Sequence, residues 1–479
     1  MKNPLMPFPC KKAHMTMPHA IFAVWHRMEI IMKDLTKGNI YKTFLLFAVP
    51  QILAGFLSQA YSIIDTVIAG RILSYNGLAA IGSTSAFIQF FSSVFWGYGV
   101  GFSIFTARLF GAKEYKKLKT VIYVNYILMM AVILALSILI IIFKNPIFDI
   151  LSVDPQIRDD AAVYFIIYML GSVFLLMNNN GVYLMNSLGS SSYPLFMSVL
   201  STVLHIAGNL FTVKVLGMGV GGIAASTVLS ALVVDIFYFI EVKSCFKKMG
   251  VDKYRIKFEV KPLKTSLVYS VPAMIQQMLM YFASVVISPM VNAIGSSASA
   301  AYVICLRVYD VNATIYQNSS KTLSNYAAQS IGAGKYENIK RGLRVGFLQG
   351  AVFVLPVLIA TVIFARGFCS VFLPSGSTGE GLEMAVVFAR YCMPLILFNM
   401  VNNLFHSFYR GVAAMRFLVA ATFIGAFSRI IATYISVKFF AMNGVYLGWA
   451  ISWAVECLFS LGVYFTGAWK SREIKKALA

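Results

Sequence analysis

Apolar residues recur along this chain in twelve runs of about 20 residues or more, each long enough for a helix to cross a bilayer. The runs centre near Gly55, Phe91, Met130, Met169, Leu200, Val228, Leu279, Thr314, Val354, Leu395, Ile424 and Val455. The pattern predicts an all-α polytopic membrane protein with twelve transmembrane helices. Lys and Arg collect in alternate connections: Lys33, Lys37 and Lys42 before the first run, Lys113 to Lys119 after the second and Lys243 to Lys264 after the sixth. Lys335 to Arg344 follow the eighth run, Arg410 and Arg416 the tenth, and Lys470 to Lys476 the twelfth. Basic connections stay on the cytoplasmic side, so both termini are expected there, in a bacterial-type plasma (inner) membrane.

The two halves repeat one another. Ala48-Val-Pro50 opens the first run and Ser270-Val-Pro272 the seventh, while Phe110-Gly-Ala-Lys-Glu-Tyr115-Lys returns as Ile331-Gly-Ala-Gly-Lys-Tyr336-Glu. Leu188-Gly189 before the fifth run corresponds to Arg410-Gly411 before the eleventh. Six crossings bring the chain back to its starting side, so the halves insert in the same orientation, related by an axis along the membrane normal. The expected plan has five parts: a cytoplasmic, disordered N-terminal segment (1–39), a six-helix lobe (40–242), a cytoplasmic linker (243–264), a pseudo-symmetric second six-helix lobe (265–469) and a cytoplasmic tail (470–479). Its pathway runs between the lobes.

Composition supports this class and closes off others. The 479 residues are 59% hydrophobic and 12% charged, with mean hydropathy +0.76, far more apolar than a soluble domain. The formal charge of +22 sits in the short connections, so it reports topology and implies no nucleic-acid partner. Six scattered cysteines without a CxxC imply neither a zinc site nor a disulfide framework and read as packing residues or free thiols. In residues 1–31, four prolines and no helical periodicity indicate disorder without a signal peptide; His14, His19 and His26 lack metal-ligand spacing. Translation starting at Met28 or Met32 is an open alternative.

The candidate chemistry centres on Asp65, a carboxylate within the first apolar run. A charge at mid-bilayer costs about 2.5 to 3.5 kcal/mol on insertion scales, so such a residue reads as functional by default. Hydration at a helix end is the alternative. Pro50, fifteen residues earlier, removes one backbone donor and marks a hinge in the same helix. Tyr61 falls one turn before Asp65 on the same face; it, Gln59 and Asn180 are substrate-cavity candidates, with core packing or capping the competing roles.

At these residues the chain resembles the multidrug and toxic compound extrusion (MATE) transporters. The resemblance runs from about Ile40 to Trp469. It is carried by Ala48-Val-Pro-Gln51 through Tyr61-Ser-Ile-Ile-Asp65-Thr-Val-Ile-Ala-Gly70, then Gly111-Ala-Lys, Gly217-Met-Gly-Val-Gly-Gly-Ile-Ala-Ala-Ser226 and the repeat elements of the second half. It implies secondary antiport, in which amphipathic, often cationic compounds leave as H+ or Na+ enters, through rocking of two lobes. It also implies a coupling site in the N-terminal lobe, whose family positions fall on Asp65, His205, Asn209 and Thr227; only the first and last keep the family's residue type. Na+ would be held at Asp65, Asn209 and Thr227. Loss of a second carboxylate at Asn209 and gain of a titratable ring at His205 shift the expectation toward H+. Met280 stands at a family Glu position and the tenth span offers Arg390 and no acid, so coupling is expected in the N-terminal lobe alone.

Other intramembrane charges read as structural: Arg307 with Asp310 as an ion pair, Arg390, Arg429 and Glu456 as a partner set, Asp235 and Glu241 as hydrated, and Arg108 and Lys321 as snorkelling. No cofactor is expected beyond the coupling ion. The partners are the bilayer and small organic cations or other amphipathic compounds, and the expected state is a monomer. A lipid-linked oligosaccharide flippase is the alternative function, disfavoured by the few intramembrane Arg residues. A prenyl-transferring enzyme would need paired acidic motifs that the cytoplasmic loops lack, and no channel filter motif occurs.

Overall fold

The computed structural model describes residues 32–479 apart from 74, 257–259, 373–378, 472–473 and 476–479; the side chains of 62–72, 75 and 260 lie outside that description. The expectations for residues 1–31 and for the carboxylate of Asp65 therefore lie outside the described residues. Twelve long helices follow one another: α1 (Ile40–Ile72), α2 (Tyr75–Gly111), α3 (Tyr115–Ile142), α4 (Arg158–Ser187), α5 (Ser192–Asn209) and α6 (Gly219–Lys248). The second half has α7 (Val260–Asn292), α8 (Ser296–Gly332), α9 (Glu337–Ile363), α10 (Gly379–Val387 continuing as Ile396–Gly411), α11 (Met415–Phe440) and α12 (Met442–Phe465). A π turn, Leu210–Val215, prolongs α5, and another, Phe388–Cys392, interrupts α10.

The helices form two pseudo-symmetric six-helix lobes, α1–α6 and α7–α12, and the packing repeats: α5 lies on α1 as α11 lies on α7, and α4 on α2 as α10 on α8. The short helices Lys144–Ile150 and Ala365–Ser370 follow α3 and α9 at matching places. All six even-numbered helices end alike: two residues past each end the chain turns through positive φ, at Lys113, Gly189, Gly250, Gly334, Ala413 and Gly467. The turned residue's N–H bonds back to the carbonyl three residues earlier, as in Gly334 to Ile331 and Ala413 to Arg410. These six ends lie on the lysine-rich side. By this geometry Gly189 is matched by Ala413, 224 residues later, in place of the expected Gly411.

Eleven of the twelve helices are long and apolar enough to span a membrane by composition alone; α8 is not. It buries Asn312, Thr322, Asn325, Gln329 and Ser330 within the protein. Thr314 and Asn318 return hydrogen bonds to the helix's own carbonyls. The other helices turn large apolar side chains outward, among them Leu45, Val49 and Leu53 on α1.

The lobes meet where α1 packs on α8 and where α2 packs on α7 and α8. The helices approach to backbone contact at small residues: a Cβ on Gly111 would stand 2.2 Å from the Gln329 carbonyl oxygen, and one on Gly332 would stand 2.1 Å from that of Arg108. Gly111 and Gly332 are repeat equivalents, as are Arg108 and Gln329, so the two halves make one contact twice. Gln329 also ties three segments together there, accepting from Leu35 N–H at 2.9 Å and donating to the Ser187 carbonyl at 2.9 Å. The lobes are thus sealed on the lysine-rich side. Five described cysteines are free and buried.

Candidate functional site

Two polar groupings lie inside this apolar frame. The first is within the N-terminal lobe, where α5 and α6 cross closely: a Cβ on Gly208 would lie 2.9 Å from that of Ser226. This proximity lets Asn209, fully buried at the start of the π turn, accept the Ser226 hydroxyl proton. Nδ2 of Asn209 is 3.3 Å from Nε2 of His205, and that nitrogen is 3.0 Å from Oγ1 of Thr227. Thr212 closes the π turn by bonding both the Gly208 and Gly222 carbonyls at 2.9 Å; such widened turns recur at functional sites. On the other side Tyr61 lies ring to ring with His205, centroids 4.3 Å apart. Tyr61 therefore marks the α1 face that meets α5, and position 65 follows one turn along that helix.

Of the four expected coupling residues, His205, Asn209 and Thr227 come together, and the side chain of Asp65 lies outside the described residues. Pro50 sits within α1, which continues as a helix on both sides of it.

The second grouping lines a central cavity of about 650 Å³ between the lobes. Gln59 is on its wall, with Nε2 3.5 Å from Thr314 Oγ1 of α8. The other two cavity candidates are turned into the N-terminal lobe. Tyr61 is held against His205, and Asn180, 2% exposed, donates to the Leu176 carbonyl and touches Met129. The cavity's second-lobe wall carries Asp310, Lys321, His406, Arg410, Arg429 and Glu456.

Several charge assignments change here. Arg307 and Asp310 form no ion pair, because Arg307 is exposed while Asp310 faces the cavity. Arg390 is exposed as well, so the expected Arg390, Arg429 and Glu456 set does not form. Glu456 instead pairs with His406 at 2.8 Å and accepts from Asn402 at 3.2 Å, and His406 Nδ1 lies 3.1 Å from Gln276. Gly425 provides the room, since a Cβ there would lie 2.6 Å from Glu456 Oε2. Lys321 does not snorkel: its ammonium points inward over Tyr183 and bonds Asn318 at 2.8 Å. Arg108 bonds Tyr269 across the lobe boundary. Glu241 is buried against Cys245, and Oδ2 of Asp235 is buried without a hydrogen-bond partner among the described residues, so neither is hydrated as expected.

His406 escaped the sequence reading. The signal for it was the polar stripe Asn399, Asn402, Asn403, His406 and Arg410, at three- and four-residue spacing on one helix.

The MatE family model matches residues 50–211 and 272–435, one match in each lobe. The chain belongs to the MatE family. It is therefore a membrane transporter and not an enzyme. It is 25% identical to the probable multidrug resistance protein YoeA of Bacillus subtilis, over 73% of this chain and 77% of that protein. It is 25% identical to a FAD transporter of Shewanella oneidensis, over 74% and 80% respectively. The multidrug export protein MepA of Staphylococcus saprophyticus is 22% identical over 88% and 91%. The fold matches the outward-facing conformation of a multidrug resistance MATE transporter with TM-score 0.84 and 19% identity, covering 91% of this chain and 98% of the other.

Proposed function

We propose that this MatE transporter exports amphipathic organic compounds from the cytoplasm by alternating access, in exchange for H+, with the lysine-rich side cytoplasmic. Relatives named as multidrug resistance and export proteins support the export of organic compounds. The observation that carries the coupling reading is the buried His205, Asn209 and Thr227 network beside the α1 face that bears Tyr61. A nitrogen ring at its centre suits a proton better than Na+, a hard cation that takes oxygen ligands.

In this mechanism Asp65 exchanges a proton, its affinity differing between inward and outward states; each pKa unit of difference corresponds to about 1.4 kcal/mol. The change in hydrogen bonding is passed along α1 to the Pro50 segment, which alters the cavity wall at Gln59. No cofactor enters the cycle.

The test is efflux from proteoliposomes under separately imposed H+ and Na+ gradients, with one cationic and one anionic fluorescent probe. The H+ gradient should drive efflux, and Asp65→Asn should lower the driven rate at least about tenfold, more than 1.4 kcal/mol of barrier, with normal expression. Wild-type rates in that variant would refute coupling through Asp65; drive by Na+ alone would refute H+ exchange.

A further inference from the structure

We infer that the central cavity accepts anionic aromatic cargo, planar compounds carrying a phosphate or carboxylate group. This narrows the export reading above and rests on it. The cavity wall brings three basic side chains together, Lys321 on α8 and the permanently charged Arg410 on α10 and Arg429 on α11. None has a carboxylate within ion-pair distance among the described residues. Glu456, one of the wall's two acids, is already engaged by His406 and Asn402, which leaves Asp310 as the other negative charge.

The guanidinium groups are also incompletely bonded. Among the described residues, Nε of Arg410 and both Nε and Nη2 of Arg429 are buried without a hydrogen-bond acceptor, and Nη2 of Arg410 bonds the Ser407 hydroxyl at 3.1 Å. A buried charged donor left unmatched is costly, and an oxyanion that fits the planar fork removes that cost. A cationic compound would meet three like charges in the same chamber.

Aromatic surface lies next to these donors. Arg429 sits 4.2 Å over the Trp449 ring, and Tyr309 lies edge-on to Trp449 and parallel to Trp453, with centroids 5.2 Å and 6.0 Å away. Trp96 and Tyr281, 6.4 Å apart, also line the cavity. Trp449 and Trp453 are buried and their faces are taken by Arg429 and Tyr309, so a flat cargo ring stacks on the partly exposed Trp96 and Tyr281 while its acidic group reaches a guanidinium, and about 650 Å³ lies within the usual range for small-molecule sites.

The repeat sharpens the contrast between the lobes. With the 224-residue offset set by the turns at Gly189 and Ala413, His205 of the first lobe falls opposite Arg429 of the second. One lobe places a titratable ring there, the other a permanent charge.

Binding to the purified protein in detergent tests this separately from transport. FMN and riboflavin share one ring system and differ by a phosphate, and ethidium supplies a planar cation. FMN should bind about tenfold tighter than riboflavin, with ethidium weakest. Arg429→Gln together with Arg410→Gln should remove the FMN preference and leave riboflavin affinity within about twofold; Arg429→Lys with Arg410→Lys should retain part of it. Retained riboflavin binding and an unchanged size-exclusion profile identify a folded variant. Ethidium binding more tightly than FMN, or an FMN to riboflavin ratio unmoved by the charge-removing pair, would overturn the inference. Failure of gradient-driven efflux with either probe would instead strike the export mechanism.

Discussion

Gly332→Leu should stop turnover while leaving the protein folded and in the membrane. A Cβ at this position stands 2.1 Å from the Arg108 carbonyl oxygen, inside the distance at which backbone atoms can coexist. The obstacle is backbone, so no side-chain rotation relieves it. The lobes must part, and overpacking of this kind costs about 1 to 3 kcal/mol. That is sufficient to change the balance between two conformers by roughly fivefold to more than a hundredfold. Gly111→Leu should behave alike, because its Cβ would meet the Gln329 carbonyl at 2.2 Å. The check is a cysteine placed at Ser324 on the cavity wall, labelled by a membrane-impermeant thiol reagent from the lysine-rich side. Labelling should accelerate in both variants as probe efflux falls. Unchanged labelling with unchanged efflux would mean that this contact does not hold the lobes closed.

Glu456→Ala should produce the largest loss of stability among single changes at the cavity. The carboxylate is wedged between α10 and α11, 2.8 Å from His406 and 3.2 Å from Asn402. Removing one member of a buried pair strands the other, at a cost of about 3 to 5 kcal/mol. Glu456→Gln keeps the shape and an acceptor for Asn402, so its cost should be smaller, about 1 to 3 kcal/mol. Thermal unfolding of the purified proteins orders the three: wild type highest, Gln intermediate, Ala lowest. An Ala variant melting with wild type would show that the pair contributes nothing net to the second lobe.

The number of helices, the two lobes and the repeat could all be read from the sequence, because lipid demands long apolar helices and the halves carry matching motifs. The directions of individual charges could not. Arg307 and Asp310 have ion-pair spacing, yet one faces outward and the other the cavity, since three residues on a helix span nearly a full turn without fixing which neighbour each meets. Lys321 looked close enough to the end of α8 to snorkel. Eleven residues separate it from Gly332, roughly 16 Å of helix, and the inward face of α8 holds it in the chamber. The meeting of His406 with Glu456 joins helices 50 residues apart, a register set only by how α10, α11 and α12 pack. The clustering of His205, Asn209 and Thr227 was suggested by family resemblance; what the sequence did not show was the π turn after Asn209 that accompanies it.

The doubled contact between Gly111 and Gln329 and between Gly332 and Arg108 has the form of an interface between identical molecules related by a dyad, each contributing the same patch. A primitive chain of six crossings would already have carried both sides of that seam. Joining two copies end to end would then have preserved a quaternary structure as a tertiary one, after which His205 and Arg429 were free to diverge without disturbing the fit of the halves.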